Sequence, residues 1–133
     1  MRKRRLEHKD MLSGMENIIM KSIWRLEKTE KRITVYDIIQ SLKENYEKKY
    51  SRATIRTYLT KLEKKGFIRL KWEGRYSYIS SLVKEKAYQK KQLENMKEFW
   101  FDDSLSDMIC AFTETISQEE AEELKDLVDK LGD

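Results

Sequence analysis

Proline is absent from the 133 residues, cysteine and histidine occur once each, and glycine occurs four times. Without proline no interior position lacks a backbone donor, so long helices are allowed almost everywhere. The lone Cys110 excludes an internal disulfide and any site that takes two thiolates from one chain. It is expected to be a buried core thiol, as free cysteines usually are. His8 alone would have to serve any histidine-built metal site or Ser-His-Asp triad, and it stands near the start of the chain. There is no Gly-rich phosphate loop, and no nucleophile has a recognisable base nearby. Neither an enzyme nor a metal or other cofactor is therefore expected. No apolar run approaches the roughly 20 residues that span a bilayer, and the basic residues 1–5 are not followed by the apolar stretch of a signal peptide. A cytoplasmic protein is expected.

What is abundant is charge. Hydrophobic and charged residues each make up 39% of the chain, enough of the first to fold and enough of the second to coat a small domain. Residues 1–80 hold 21 Lys or Arg against 10 Asp or Glu, whereas residues 81–133 hold 7 against 14. A basic first part suits a polyanion, because neutralising phosphates releases counterions and yields affinity without sequence readout. The acidic second part must do something else.

Apolar spacing organises the chain. Met15, Ile18, Ile19, Ile23 and Leu26 form one helical stripe. Ile33 reads as a short strand, and Thr34 as the cap of a second helix carrying Val35, Ile38, Ile39, Leu42 and Tyr46. Ser51 caps a third helix that buries Ile55, Leu59 and Leu62 and stops at Gly66. Residues 67–72 and 76–80 read as strands around the turn Glu73-Gly74-Arg75. Helix, short strand, helix, helix, hairpin is the order of a winged helix-turn-helix domain. A long helix is predicted over residues 83–101, broken by Asp102-Asp103-Ser104. A short helix with Leu105, Met108, Ile109 and Phe112 follows, and the capping box Ser117-Gln118-Glu119-Glu120 opens the last helix, with Leu124, Leu127, Val128 and Leu131. The fold class is thus mainly α with a small β-hairpin wing. Residues 1–82 form the winged domain and residues 83–133 a helical region. That region, with Phe99 and Trp100, is too short to close a core alone, so its apolar residues are expected to pair two copies of the chain.

With Ile55, Leu59 and Leu62 turned inward, helical geometry places Arg56, Thr57, Thr60, Lys61 and Lys64 outward, with Ser51, Arg52, Ala53 and Thr54 at the leading end. A major groove admits one helix; arginine can pair with guanine edges or phosphate, and threonine offers a hydroxyl and a methyl. Many such faces are merely solvated, and it is the preceding helix and following hairpin that favour duplex DNA. Lys71, Arg75 and Tyr76, at or beside the turn, are placed to meet the DNA backbone. Trp72 and Tyr78 are expected to be cross-strand packing partners instead. The rival reading is a winged domain that offers its basic face to an acidic protein partner.

With its elements in this order, the sequence resembles the penicillinase-repressor family of bacterial regulators over nearly the whole chain from Met15. The residues that carry the likeness are Ile23-Trp24, the run Ser51-Arg52-Ala53-Thr54-Ile55-Arg56-Thr57-Tyr58-Leu59 with Leu62 and Lys65-Gly66, and Gly74-Arg75 through Tyr78 with Ser81-Leu82-Val83. Phe99-Trp100-Phe101, Ser104-Leu105 and Ser117-Gln118-Glu119-Glu120 with Glu122-Glu123-Leu124 extend it into the tail. The resemblance implies a homodimeric repressor on a palindromic operator. For the β-lactam-responsive branch it also implies release by a membrane sensor protease, which would cut here at Ala111-Phe112, where the family has asparagine in place of Ala111. The Cys-x-Cys motifs of the copper-responsive branch are missing.

Overall fold

Hydroxyl side chains begin most of the helices. In the computed structural model, which describes residues 11–29 and 31–132, Ser13 precedes helix α1 (Gly14–Glu27), and its N–H donates to Glu16 Oε1 at 2.8 Å. His8 and the basic residues 1–5 lie outside the described residues. Thr34 caps α2 (Val35–Tyr46): its Oγ1 accepts from Asp37 N at 3.3 Å while its own N–H donates to Asp37 Oδ2 at 2.9 Å. Each reciprocal pair satisfies backbone donors that a helix start leaves orphaned. Ser51 caps α3 (Arg52–Lys64), accepting from Thr54 N at 3.2 Å. Between α2 and α3 the chain turns at Glu47, held left-handed at φ 54°. Gly66, at φ 80°, ends α3 where a side chain would be strained.

The hairpin pairs β1 (Ile68–Glu73) with β2 (Tyr76–Ser81) in antiparallel register, from Ile68 opposite Ser81 to Glu73 opposite Tyr76. That leaves a two-residue turn, Gly74-Arg75, in which Gly74 adopts φ 62°. On the other side of β2, Ile79 N donates to Ile33 O at 2.9 Å, the expected short strand reduced to a single bridge.

The core lies among α1, α2, α3 and the hairpin, with Ile19, Ile23, Ile38, Leu42, Ile55, Leu59, Leu62 and Phe67 almost wholly enclosed. Glu16 is buried within it and bound by Lys65 Nζ at 2.7 Å, which joins the start of α1 to the end of α3. Burial pushes this carboxyl up, but the Lys65 and Ser13 hydrogen bonds and the Lys65 charge outweigh it and hold the pKa below the ordinary 4.5.

Helix α4 (Glu85–Trp100) begins on this same core. Tyr88 packs edge-on to Phe67, ring centroids 5.6 Å apart, and beside Trp24 at 6.0 Å, while its hydroxyl accepts from Leu12 N at 2.9 Å. Burial pushes the Tyr88 pKa up. Trp24 Nε1 donates to Val83 O at 2.9 Å, and Glu85 pairs with Lys21. Accordingly the compact units divide between Gln92 and Leu93, inside α4.

The second unit holds the rest of α4, then α5 (Leu105–Thr115) and α6 (Gln118–Leu131). Asp102 and Asp103, both left-handed at φ 48° and 62°, end α4, and Ser104 caps α5 by accepting from Asp107 N at 3.1 Å. Ser117 and Glu120 form the expected capping box. Neither α5 nor α6 contains a buried residue. Cys110 is exposed, against the expectation of a core thiol. The physical reason is that two short helices and the end of a third cannot enclose their own apolar sides.

Candidate nucleic-acid interface

Ile55, Leu59 and Leu62 are buried, so the opposite side of α3 faces solvent along its whole length. Arg52, Ala53, Arg56, Thr57, Thr60, Lys61 and Lys64 are all exposed there, with Ser51 at the leading end and Thr54 half-buried. Thr57 Oγ1 donates to Ala53 O and Thr60 Oγ1 to Arg56 O, each at 3.0 Å. Their hydroxyl protons are committed to the helix backbone, which leaves the methyl groups and an acceptor lone pair for a ligand. One carboxylate, Glu63, is exposed at its edge. Glu63, the acid of this helix, turns aside and accepts from Leu70 N of β1 at 3.1 Å.

The wing stands next to this face. Arg75 is at the turn, exposed and without an acidic partner among the described residues, and Tyr76 and Lys71 are exposed behind it. Glu73 is engaged by Arg32, from the link between α1 and α2, and by Lys71 Nζ at 3.7 Å. The hydrogen bond from Arg32 holds the Glu73 carboxyl below its ordinary pKa. The Glu73 carboxylate beside the basic surface is thus neutralised by partners inside the domain, whereas Glu63 is tied to β1 by the Leu70 N–H alone. Where α2, α3 and the wing meet, Tyr36, Arg52 and Tyr76 line a notch of about 110 Å³ with Thr34, Val35 and Ser77.

The two aromatics expected to pair across the strands do not. The register sets Trp72 opposite Ser77 and Tyr78 opposite Lys71. Each instead lies under an arginine: the Arg56 guanidinium is 5.3 Å from the Trp72 ring centroid, and that of Arg32 is 3.6 Å from the Tyr78 centroid. Tyr36, 64% exposed at the start of α2, was not foreseen at this surface. Its place as the second residue of a capped helix in front of the turn was the available signal.

A second surface lies in the other unit. Phe99 and Trp100 contact each other edge to face at 4.9 Å yet are 69% and 72% exposed. Leu105, Met108, Ile109 and Phe112, with Leu93, line an apolar groove of about 420 Å³ that carries Glu94 and Lys97. Leu127, Val128 and Leu131 are exposed on α6, with Leu124 half-buried beside Phe112 in a neighbouring groove. Ala111 is half-buried. Among the described residues no group of three His, Cys, Asp or Glu is placed to hold a metal ion, and no helix is long and apolar enough to cross a membrane.

A capped helix-turn-helix, a basic outer face on its second helix and a two-stranded wing define a winged helix-turn-helix protein of the DNA-binding regulator class. The chain belongs to the penicillinase repressor family, whose sequence profile matches residues 12–130. The methicillin resistance regulatory protein MecI of Staphylococcus aureus (strain N315) is 31% identical over 121 residues, 90% of this chain and 94% of that one. Among solved structures, the Bacillus licheniformis repressor BlaI, a monomeric form in complex with the blaP half-operator, is 28% identical; the match covers 65% of this chain and 93% of that chain, with a TM-score of 0.46. The S. aureus transcription regulator MepR, at 16% identity, matches with a TM-score of 0.51 over 92% of this chain and 79% of its own, a likeness of fold.

Proposed function

We propose that this DNA-binding transcriptional repressor works as a homodimer on a palindromic operator. One α3 enters the major groove of each half-site, and Lys71, Arg75 and Tyr76 of the wing bear on the flanking backbone. The observation that carries the reading is the outer face of α3: basic and exposed at Arg52, Arg56, Lys61 and Lys64, with Glu63 drawn to Leu70 N of β1 and Glu73 to Arg32. Residues 1–82 supply this contact and residues 83–133 the pairing. Phe99, Trp100, Leu105, Ile109, Phe112, Leu127, Val128 and Leu131 form too much exposed apolar surface for so small a unit to leave in water, and Met108 and Leu124 extend it.

Competition and salt titration test the first part. Binding to a duplex selected from a random pool should survive excess unrelated DNA, and log affinity should fall steeply with log salt as several phosphates are engaged. A face used for an acidic protein would bind every duplex alike and select no site.

For relief of repression we infer cleavage at Ala111-Phe112 by a membrane sensor protease. Phe112 is exposed on α5, in the apolar set assigned to pairing, so a cut there would loosen the dimer. Each half-site would then lose the effective concentration that its tethered neighbour supplies, a gain of about 10² or more. Mass spectrometry of the chain from induced cells should find fragments ending at Ala111; intact chain throughout induction would reject the inference.

A further inference from the structure

Arg56 has nothing on its own helix to hold it. One turn away in either direction stand Arg52, Ala53, Leu59 and Thr60, none of them acidic or aromatic. A long side chain so placed samples many rotamers, and a base contact requires one of them. What orients it comes from the hairpin. Ile68, Leu70 and Trp72 alternate onto the side of β1 that faces the core, and the indole lies beyond the last enclosed residue, 55% exposed. Its cross-strand partner, Ser77, is too small to cover it. The hydrogen bond from Leu70 N to Glu63 Oε2 ties the strand to α3 two residues before the tryptophan, which keeps the ring's backbone beside the helix that carries Arg56.

We propose that Trp72 is a positioning residue for sequence readout, holding the Arg56 guanidinium by its flat face so that its edge is presented to one base. This rests on the reading of α3 given above. The 5.3 Å separation lies inside the roughly 6 Å over which a cation is attracted to an aromatic face, and tryptophan is the strongest such partner. Stacking occupies the face of the guanidinium and leaves the in-plane N–H groups free, and those are the groups that pair bidentately with guanine. The same strand leads within three residues to Arg75 at the turn, so the wing that grips the backbone also aims the side chain that reads the groove.

The test is site selection from a random pool, with affinity for the selected duplex, for full-length Trp72→Ala, Trp72→Phe, Arg56→Ala and the double variant Trp72→Ala/Arg56→Ala. Trp72→Ala should weaken selected-duplex binding by about tenfold and flatten preference at the same base position that Arg56→Ala flattens. Trp72→Phe should keep most of that preference, and the double variant should bind no worse than Arg56→Ala alone. Urea midpoints close to the parent's establish that all four are folded. Equal weakening on selected and unrelated duplexes, or losses that add in the double variant, would overturn the proposal and leave the α3 assignment standing. If Arg56→Ala selects the same site as the parent, both fall together.

Discussion

Arg56 and Arg75 carry the same charge and differ in what surrounds them. Arg56 lies on the helix face proposed to enter the groove, its guanidinium 5.3 Å from an aromatic ring centroid, whereas Arg75 stands at the tip of the wing with no partner among the described residues. Arg56→Ala should therefore cost about 1–3 kcal/mol on the selected duplex and relax one position of the site, while Arg75→Ala should weaken all duplexes alike and shallow the salt slope. Fluorescence titrations at several salt concentrations separate the two; a uniform loss in both would mean that neither reads a base. Glu16 gives a residue-scale expectation for stability. Its folded pKa is depressed, so its contribution is complete above the ordinary carboxylate value of 4.5 and is lost as pH falls through the lower folded value. The urea midpoint should drop on acidification below about pH 4.5, and Glu16→Gln should lose part of that dependence. An identical pH profile in the variant would show that the Lys65 contact contributes nothing to folding.

At the scale of elements, caps were the most legible feature of the sequence. Thr34, Ser51 and Ser117 each precede an apolar period, and each accepts a backbone N–H from the third residue of its helix, as does Ser104, which the sequence offered only as part of a helix break. Ser51 matters most, since it starts the helix proposed to read DNA. Ser51→Ala should lower stability by about 1 kcal/mol and loosen operator binding, because the frayed turn carries Arg52 and Ala53; an unchanged denaturation curve would mean that water replaces the cap without loss. Other features were not legible, for reasons that lie between elements. Strand alternation puts Trp72 on the core side of β1, but which α3 side chain it meets depends on how the hairpin docks. The unit boundary inside α4 follows from Tyr88 meeting Phe67 and Trp24, residues far apart in sequence. Cys110 was assigned to a core because free cysteines usually occupy one, yet α5 has no layer of its own chain to bury it.

For the whole molecule, the division of charge sets two equilibria against each other. Operator binding draws a basic domain to a polyanion and weakens with salt, by the release of condensed ions. The proposed pairing would bring together two tails in which residues 81–133 hold 7 Lys or Arg against 14 Asp or Glu, so that like charges approach while apolar side chains supply the attraction. At low ionic strength that repulsion reaches tens of ångströms, and at about 0.15 M it is screened beyond about 8 Å. The dimer should accordingly tighten as salt rises from low to physiological concentration, over the range in which affinity for DNA falls. Sedimentation equilibrium at two salt concentrations measures the first and the operator titration the second. Leu127→Glu supplies the control, since a further charge on the exposed stripe of α6 should give monomers at either salt. A dimer that instead dissociates as salt is raised would be held by ion pairs across the acidic tails, and the apolar residues of α5 and α6 would need another partner.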